Sequence, residues 1–172
     1  MTWVEPELGY SSTVSLDDVR LAFVAAVLMK LGVIAADVSH AYIKALCKEK
    51  RYAIAGPEFR NTSICNLECA VLIIVKALYG LRTSGAAWHA EAADTLRLMG
   101  FRQSKARNDI WMREKSDHYE YVTIFVDDLL VFSRNAKEVI DVFQTLYVVK
   151  GVGFPEYYNG GDVYEEEDGK LC

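Results

Sequence analysis

The sequence predicts an α+β domain, an antiparallel sheet with helices packed on one face. Three observations carry that prediction: helix-like and strand-like stretches alternate, the most apolar stretch is split by two adjacent aspartates, and the composition suits one folded domain. The chain has 172 residues, 52% hydrophobic and 25% charged, with a mean hydropathy of +0.07, enough for a sizeable core. Long disorder, collagen and a disulfide-stapled miniprotein are thereby excluded.

Residues 1–14 read as an entry loop. Ser15 followed by Asp18 resembles a capping box, and Leu16, Val19, Phe23, Val27 and Leu31 recur at three-to-four spacing up to Gly32, which predicts a helix ended by glycine. Val33 to Val38 then reads as a short buried strand carrying Asp37 near its end. Residues 44–69 read as loop with short strands, and Val71 to Val75 as a β-branched run. Ser84 is the expected cap of a helix to Met99, with Trp88, Ala92, Leu96 and Met99 as its core stripe and Gly100 as its stop. Tyr119 to Phe132 is almost continuously apolar but holds Asp127-Asp128 in its middle. Two adjacent carboxylates do not lie in a dry strand, so this stretch predicts a hairpin with the aspartates at its tip. Asn135 and Glu138 open a last helix through Leu146, and residues 151–164 are turn-rich with a short strand at their end.

The net charge of −5 is uneven. Residues 151–172 hold six acids against Lys170, leaving 18 acids and 18 bases in residues 1–150. Arg97 to Lys115 holds six bases against Asp109 and Glu114, a candidate basic strip. Cys47, Cys65, Cys69 and Cys172 lack zinc-site spacing and read as free thiols in a reducing compartment, and His40, His89 and His118 show no ligand pattern. The apolar run Leu21 to Met29 is too short for a membrane span, and with no leader at Met1 neither export nor anchoring is expected.

If the Asp37 strand lies beside the hairpin, its carboxylate approaches Asp127 and Asp128. Converging carboxylates repel unless a divalent cation sits between them, and Mg²⁺ prefers oxygen ligands. Two such ions would activate an attacking hydroxyl and steady a leaving oxygen, which is phosphoryl-transfer chemistry. A solvated Asp-Asp turn is the alternative.

Three motifs bear on that choice. Phe125-Val126-Asp127-Asp128, Asp37-Val38-Ser39-His40-Ala41-Tyr42, and Lys76-Ala77-Leu78-Tyr79-Gly80-Leu81-Arg82 running on to Trp88 stand in an order and at separations that resemble the reverse transcriptase of copia-type LTR retrotransposons. Gly151 to Gly160 is similar to the stretch before that family's next strand. The likeness covers nearly the whole chain.

The resemblance implies a polymerase palm, ferredoxin- or RRM-like, with incomplete fingers and no thumb. It implies a single domain over residues 1–172, with the first aspartate motif at 33–42, the helical motif at 76–99, the Asp-Asp hairpin at 119–133 and an acidic segment at 151–172. It further implies RNA-directed DNA polymerisation, in which Asp37, Asp127 and Asp128, with Val38, hold two Mg²⁺ ions, or Mn²⁺, for nucleotide addition to a primer 3′-hydroxyl. Tyr42 and Ala41 would meet the incoming dNTP. Phe125, Val126, Gly80, Leu81 and Arg82 would lie near a primer on an RNA or DNA template. Lys150 is a candidate proton donor to pyrophosphate. Implied partners are the remaining Pol polyprotein parts, integrase and RNase H, and no membrane.

The chain departs from the family at Thr83 and Gly85, where glutamine and proline are usual, and at Lys44-Ala45, where asparagine-glycine is usual. The family's triphosphate-gripping fingers strands would precede Met1, and its thumb, connection and RNase H would follow Cys172. This fragment alone is therefore expected to polymerise poorly or not at all. A non-catalytic palm-fold remnant that binds nucleic acid or protein, and a nucleotide cyclase, are the competing readings.

Overall fold

Fourteen residues from Leu16 to Met29 form α1, and the Ser15 hydroxyl oxygen accepts the Asp18 N–H as the capping pattern requires. The computed structural model describes residues 14–60, 67–158 and 160–164. The expected entry loop up to residue 13, Cys65, Cys172 and positions 159 and 165–172 of the acidic segment therefore lie outside the described residues. The helix ends one turn before Gly32. Lys30 takes the left-handed conformation at φ 53, and its N–H and that of Leu31 close the last carbonyls.

After α1 come β1 (Gly32–Val38), the single-turn α2 (Ala41–Lys44), β2 (Tyr52–Ile54), a 3₁₀ turn at Pro57–Phe59, β3 (Val71–Ile73) and α3 (Ser84–Leu98). Then follow β4 (Arg102–Gln103), β5 (Ile110–Glu114), β6 (Tyr119–Phe125), β7 (Asp128–Ser133), α4 (Ala136–Leu146), β8 (Val149–Gly153), β9 (Tyr157–Tyr158) and β10 (Gly161–Asp162). Six strands form one sheet in the order β4-β5-β6-β7-β1-β8, every neighbouring pair antiparallel. The pairs β2–β3 and β9–β10 stand apart as two-stranded ribbons. No helix among the described residues is long and apolar enough to cross a membrane.

Helices cover both faces of the sheet, not one. Trp88, Ala92 and Leu96 of α3 and Val139, Ile140 and Phe143 of α4 pack on Ala36, Val38, Leu129 and Val131. On the other face Val19, Ala22 and Ala26 of α1 pack on Val33, Leu130 and Phe132, with Tyr158 of β9. The cause is β7, where Leu129 to Phe132 all have zero exposure. A strand apolar on both sides needs cover on both, and its unbroken apolarity already carried that information.

Other local expectations shift by a residue. Thr83, not Ser84, precedes α3, and the Glu49 carboxylate accepts both its N–H and its hydroxyl, at 3.0 and 2.7 Å. The Ser84 hydroxyl instead donates to the Leu78 carbonyl. Asn135 does precede α4, but its side chain donates to Glu138 and caps no backbone group. The α3 stripe and the stop at Gly100, φ 84, are as expected. In the Val71–Val75 run only Val71–Ile73 is strand, and it is largely exposed.

The basic strip is not a free positive surface. Arg97 pairs with Asp94, Arg102 with Glu114, Arg107 with Asp18, Arg113 with Glu120 and Lys115 with Glu120. The Glu120 group is buried and joins three strands. Arg113 Nε donates to its carboxylate at 2.8 Å, the Ser133 hydroxyl donates at 2.5 Å, and Arg113 also reaches the Met99 carbonyl at the end of α3. Burial pushes the Glu120 carboxyl up, but Ser133 and Arg113 outweigh it and hold the group below the ordinary range.

A depressed carboxyl pKa adds stability above the ordinary carboxylate value and loses it as pH falls through the native one. Glu120→Gln is therefore expected to lower stability by about 2 kcal/mol at pH 7. In urea denaturation the gap to wild type should close toward pH 3, and a gap independent of pH would contradict this account.

Candidate active site

The site is assembled where β1 runs out beside the β6–β7 turn. The register sets Ala36 opposite Leu129 and Asp37 directly opposite Asp128. Side chains of such partners share a face, with Cβ atoms about 5 Å apart. Asp127 lies in the turn itself, and its carbonyl accepts the Val38 N–H at 2.8 Å. The packing around the Asp128 carboxyl, then the charges of Asp127 and Asp37, raise its pKa above the ordinary range. On the other side of β1, Lys150 of β8 is the register partner of Asp37.

A second segment is pinned against the first. After α2, Ala77 N–H bonds the Ala45 carbonyl at 3.1 Å, Cys47 N–H bonds the Val75 carbonyl at 3.0 Å, and the Lys76 ammonium reaches the Lys44 carbonyl at 2.9 Å. This lays the Tyr79 ring on the half-buried Tyr42 ring, centroids 4.5 Å apart. The Tyr79 phenol is pushed up by the packing around it, then by Asp127, Tyr42 and Asp37, so it stands within electrostatic reach of two of the carboxylates.

With this geometry in place, comparison with known proteins is decisive. The sequence model of the reverse transcriptase (RNA-dependent DNA polymerase) family matches residues 7–167. The chain belongs to the reverse transcriptase family. Its relatives place this reverse transcriptase region with the copia and Ty1 type of retrotransposon. It is 25% identical to a transposon Ty5-1 protein of Saccharomyces cerevisiae over 78% of this chain. Identity is 26% over 73% of the chain to a retrovirus-related Pol polyprotein from transposon RE1 of Arabidopsis thaliana. It is 29% over 70% of the chain to the transposon Ty1-MR1 Gag-Pol polyprotein of Saccharomyces cerevisiae. The chain spans 44%, 9% and 6% of those three proteins. No solved structure matches it significantly.

The reverse transcriptase motifs meet unevenly. Asp37 and Asp128 face each other across the β1–β7 pair and Asp127 stands in the adjoining turn, with Tyr42 linked to them through Tyr79. Val38 and Ala41 are fully buried, so they offer the site only backbone atoms. Phe125 packs against the α1-side cluster, and Val126 stands at φ 56 in the turn. Gly80 has φ 91, which requires glycine although a Cβ there would meet nothing within 4 Å. The Leu81 N–H closes a turn onto Leu78, and Arg82 is exposed, with no ion pair among the described residues. Among the described residues, none of Gly80, Leu81 or Arg82 makes a hydrogen bond or ion pair with the carboxylates. His89 and His118 instead face Asp109 and Asp117. Cys47 and Cys69 are free thiols.

In the sequence Tyr79 stands only as one letter of the Lys76–Arg82 motif. An aromatic residue beside a positive-φ glycine was the available signal. Tyr158 was missed as well: it is buried beneath the sheet, and burial and then Asp128 raise its phenol pKa.

Like charges crowd Asp128, and relieving them should favour the folded state. Asp128→Asn in metal-free buffer at pH 7 is expected to raise the thermal midpoint by about 1 to 3 °C. A lowered midpoint would show that the carboxylate is stabilised where it stands.

Proposed function

We propose that this region is the catalytic palm of a copia-type RNA-directed DNA polymerase, adding dNTPs to a primer 3′-hydroxyl on an RNA or DNA template. The observation that carries the reading is the pairing of Asp37 with Asp128 while the Asp127 carbonyl is tied to Val38. Carboxylates some ninety residues apart in sequence thus share one strand end.

The donor set suits Mg²⁺. It is all oxygen: the Asp37, Asp127 and Asp128 carboxylates, with the Val38 backbone carbonyl available beside them. Among the described residues no three His, Cys, Asp or Glu side chains close around one point. Shared between two ions, the three carboxylates would leave positions for waters and substrate phosphates, which is how Mg²⁺ is usually bound. When bound, two Mg²⁺ or Mn²⁺ ions would supply charge neutralisation and a more acidic primer hydroxyl.

The chain's own residues do the positioning. Asp37 and Asp127 are the principal ligands, and Asp128, crowded by both, is the third. Tyr42, braced by Tyr79, forms an aromatic wall suited to the sugar of the incoming nucleotide, with Ala41 behind it. Phe125 and Val126 present the turn to the primer end, and Arg82 at the start of α3 is free to meet a backbone phosphate. Lys150, across from Asp37, is placed on the carboxylate side to donate a proton to departing pyrophosphate. The integrase and RNase H of a Pol polyprotein would be its partners in cis.

The purified chain is expected to bind Mn²⁺, followed by loss of the free-ion electron paramagnetic resonance signal, with Asp127→Asn at least about tenfold weaker. Wild type indistinguishable from Asp127→Asn would overturn the reading and favour a non-catalytic remnant.

A further inference from the structure

We propose that Trp88 is a positioning residue for the metal-binding turn, holding the Val126–Asp127 peptide in the conformation that presents the Asp127 carboxylate. The proposal rests on the reading of Asp127 as a metal ligand, and its geometry is independent of that reading.

The turn is a poor fit to its own sequence. Two-residue hairpin turns that need a left-handed residue favour glycine, asparagine or aspartate. Here a β-branched valine takes φ 56, a conformation that costs energy for such a side chain and persists only where its surroundings over-determine it.

Two hydrogen bonds supply that determination, one to each successive carbonyl. The Trp88 indole Nε1–H donates to the Val126 carbonyl at 2.5 Å. The Val38 N–H donates to the next carbonyl, that of Asp127, at 2.8 Å. One tether comes from α3 and the other from the strand that bears Asp37, so the turn is clamped between them.

Trp88 is itself held. It is 1% exposed, its ring meets the Tyr147 ring edge-on at 5.4 Å, and the Tyr147 hydroxyl bonds Thr95 Oγ1 at 2.8 Å, back on α3. The fold contains a built-in contrast. Trp111 on β5 is equally buried, at 1%, yet its indole nitrogen has no hydrogen-bond partner among the described residues. The two buried indoles thus differ among the described residues, and the hydrogen bond that Trp88 makes is aimed at the turn.

The test compares Mn²⁺ affinity, by the free-ion resonance signal, in the wild-type chain, Asp127→Asn, Trp88→Phe, Trp111→Phe and the double variant Trp88→Phe/Val126→Asn. Trp88→Phe is expected to bind about tenfold more weakly, the range seen when groups supporting metal ligands are removed. Trp111→Phe should keep wild-type affinity. Asparagine tolerates φ 56 better than valine, so the double variant should recover part of the loss. Trp88→Phe matching wild type, or Trp111→Phe losing as much as Trp88→Phe, overturns the proposal. Wild type binding no better than Asp127→Asn overturns it together with the reading it rests on, a result distinguishable from the first two. A measurement on unmutated protein covers the case in which Trp88→Phe does not fold. In a Mg²⁺ titration the Trp88 indole N–H resonance should shift while that of Trp111 stays still, and an unmoved Trp88 signal overturns the proposal.

Discussion

Everything at the candidate site depends on the register between β1 and β7. Six consecutive pairs run from Gly32 and Ser133 to Asp37 and Asp128. A slip of one residue would turn Asp37 to the α3 and α4 face and bring Ala36 out in its place, because side chains alternate. Burial fixes the choice. Leu129 to Phe132 are fully buried, each contributing about 1.5 to 3 kcal/mol, or roughly 6 to 12 kcal/mol together. Two carboxylates about 5 Å apart at an effective dielectric of 20 repel by about 3 kcal/mol, less where water reaches them. The core therefore holds the aspartates together against their own repulsion.

That balance explains why the site stands at a strand end. A carboxylate pair in the middle of β7 would be desolvated between two apolar layers, whereas beside the turn Asp128 remains exposed to solvent. The three sequence motifs are joined there pairwise by physical contacts. The first and third meet through Val38 and Asp127, the second and third through Trp88 and Val126, and the first and second through Lys76 with Lys44 and Tyr42 with Tyr79. Moving any one of these segments alone breaks a tether to each of the others.

What the sequence made legible follows from the range of the interactions involved. The α1 start, β1, α3, the aspartate hairpin and α4 are set by local spacing and turn chemistry, and they were readable. The β5 strand was not, because Arg113 and Lys115 made it look like part of a basic strip. Their partner Glu120 lies across the β5–β6 turn, and Arg107 finds Asp18 far away in sequence. The Glu49 bond to Thr83 spans 34 residues and that of Trp88 to Val126 spans 38. No periodicity reports such contacts. The second helical face was readable in principle from the unbroken apolarity of β7, and only the assumption of a one-sided sheet hid it.

Charge completes the physical picture of the site. The body of the chain holds equal numbers of acids and bases, and five of the six bases between Arg97 and Lys115 are spent on internal pairs. These pairs tie the outer strands and α1 together and leave little positive surface there for phosphates. Lys150, across from Asp37, and Arg82, ahead of α3, make no ion pair among the described residues. A polyanionic substrate approaching this face would meet three neighbouring aspartates before it met many cations. Under the polymerase reading, divalent ions therefore have two tasks at the same point, relieving the repulsion that the register imposes and offsetting the charge of the substrate. Since the fold accepts that repulsion and a strained valine at one turn, the turn's supports deserve as much weight in explaining the site as the carboxylates themselves.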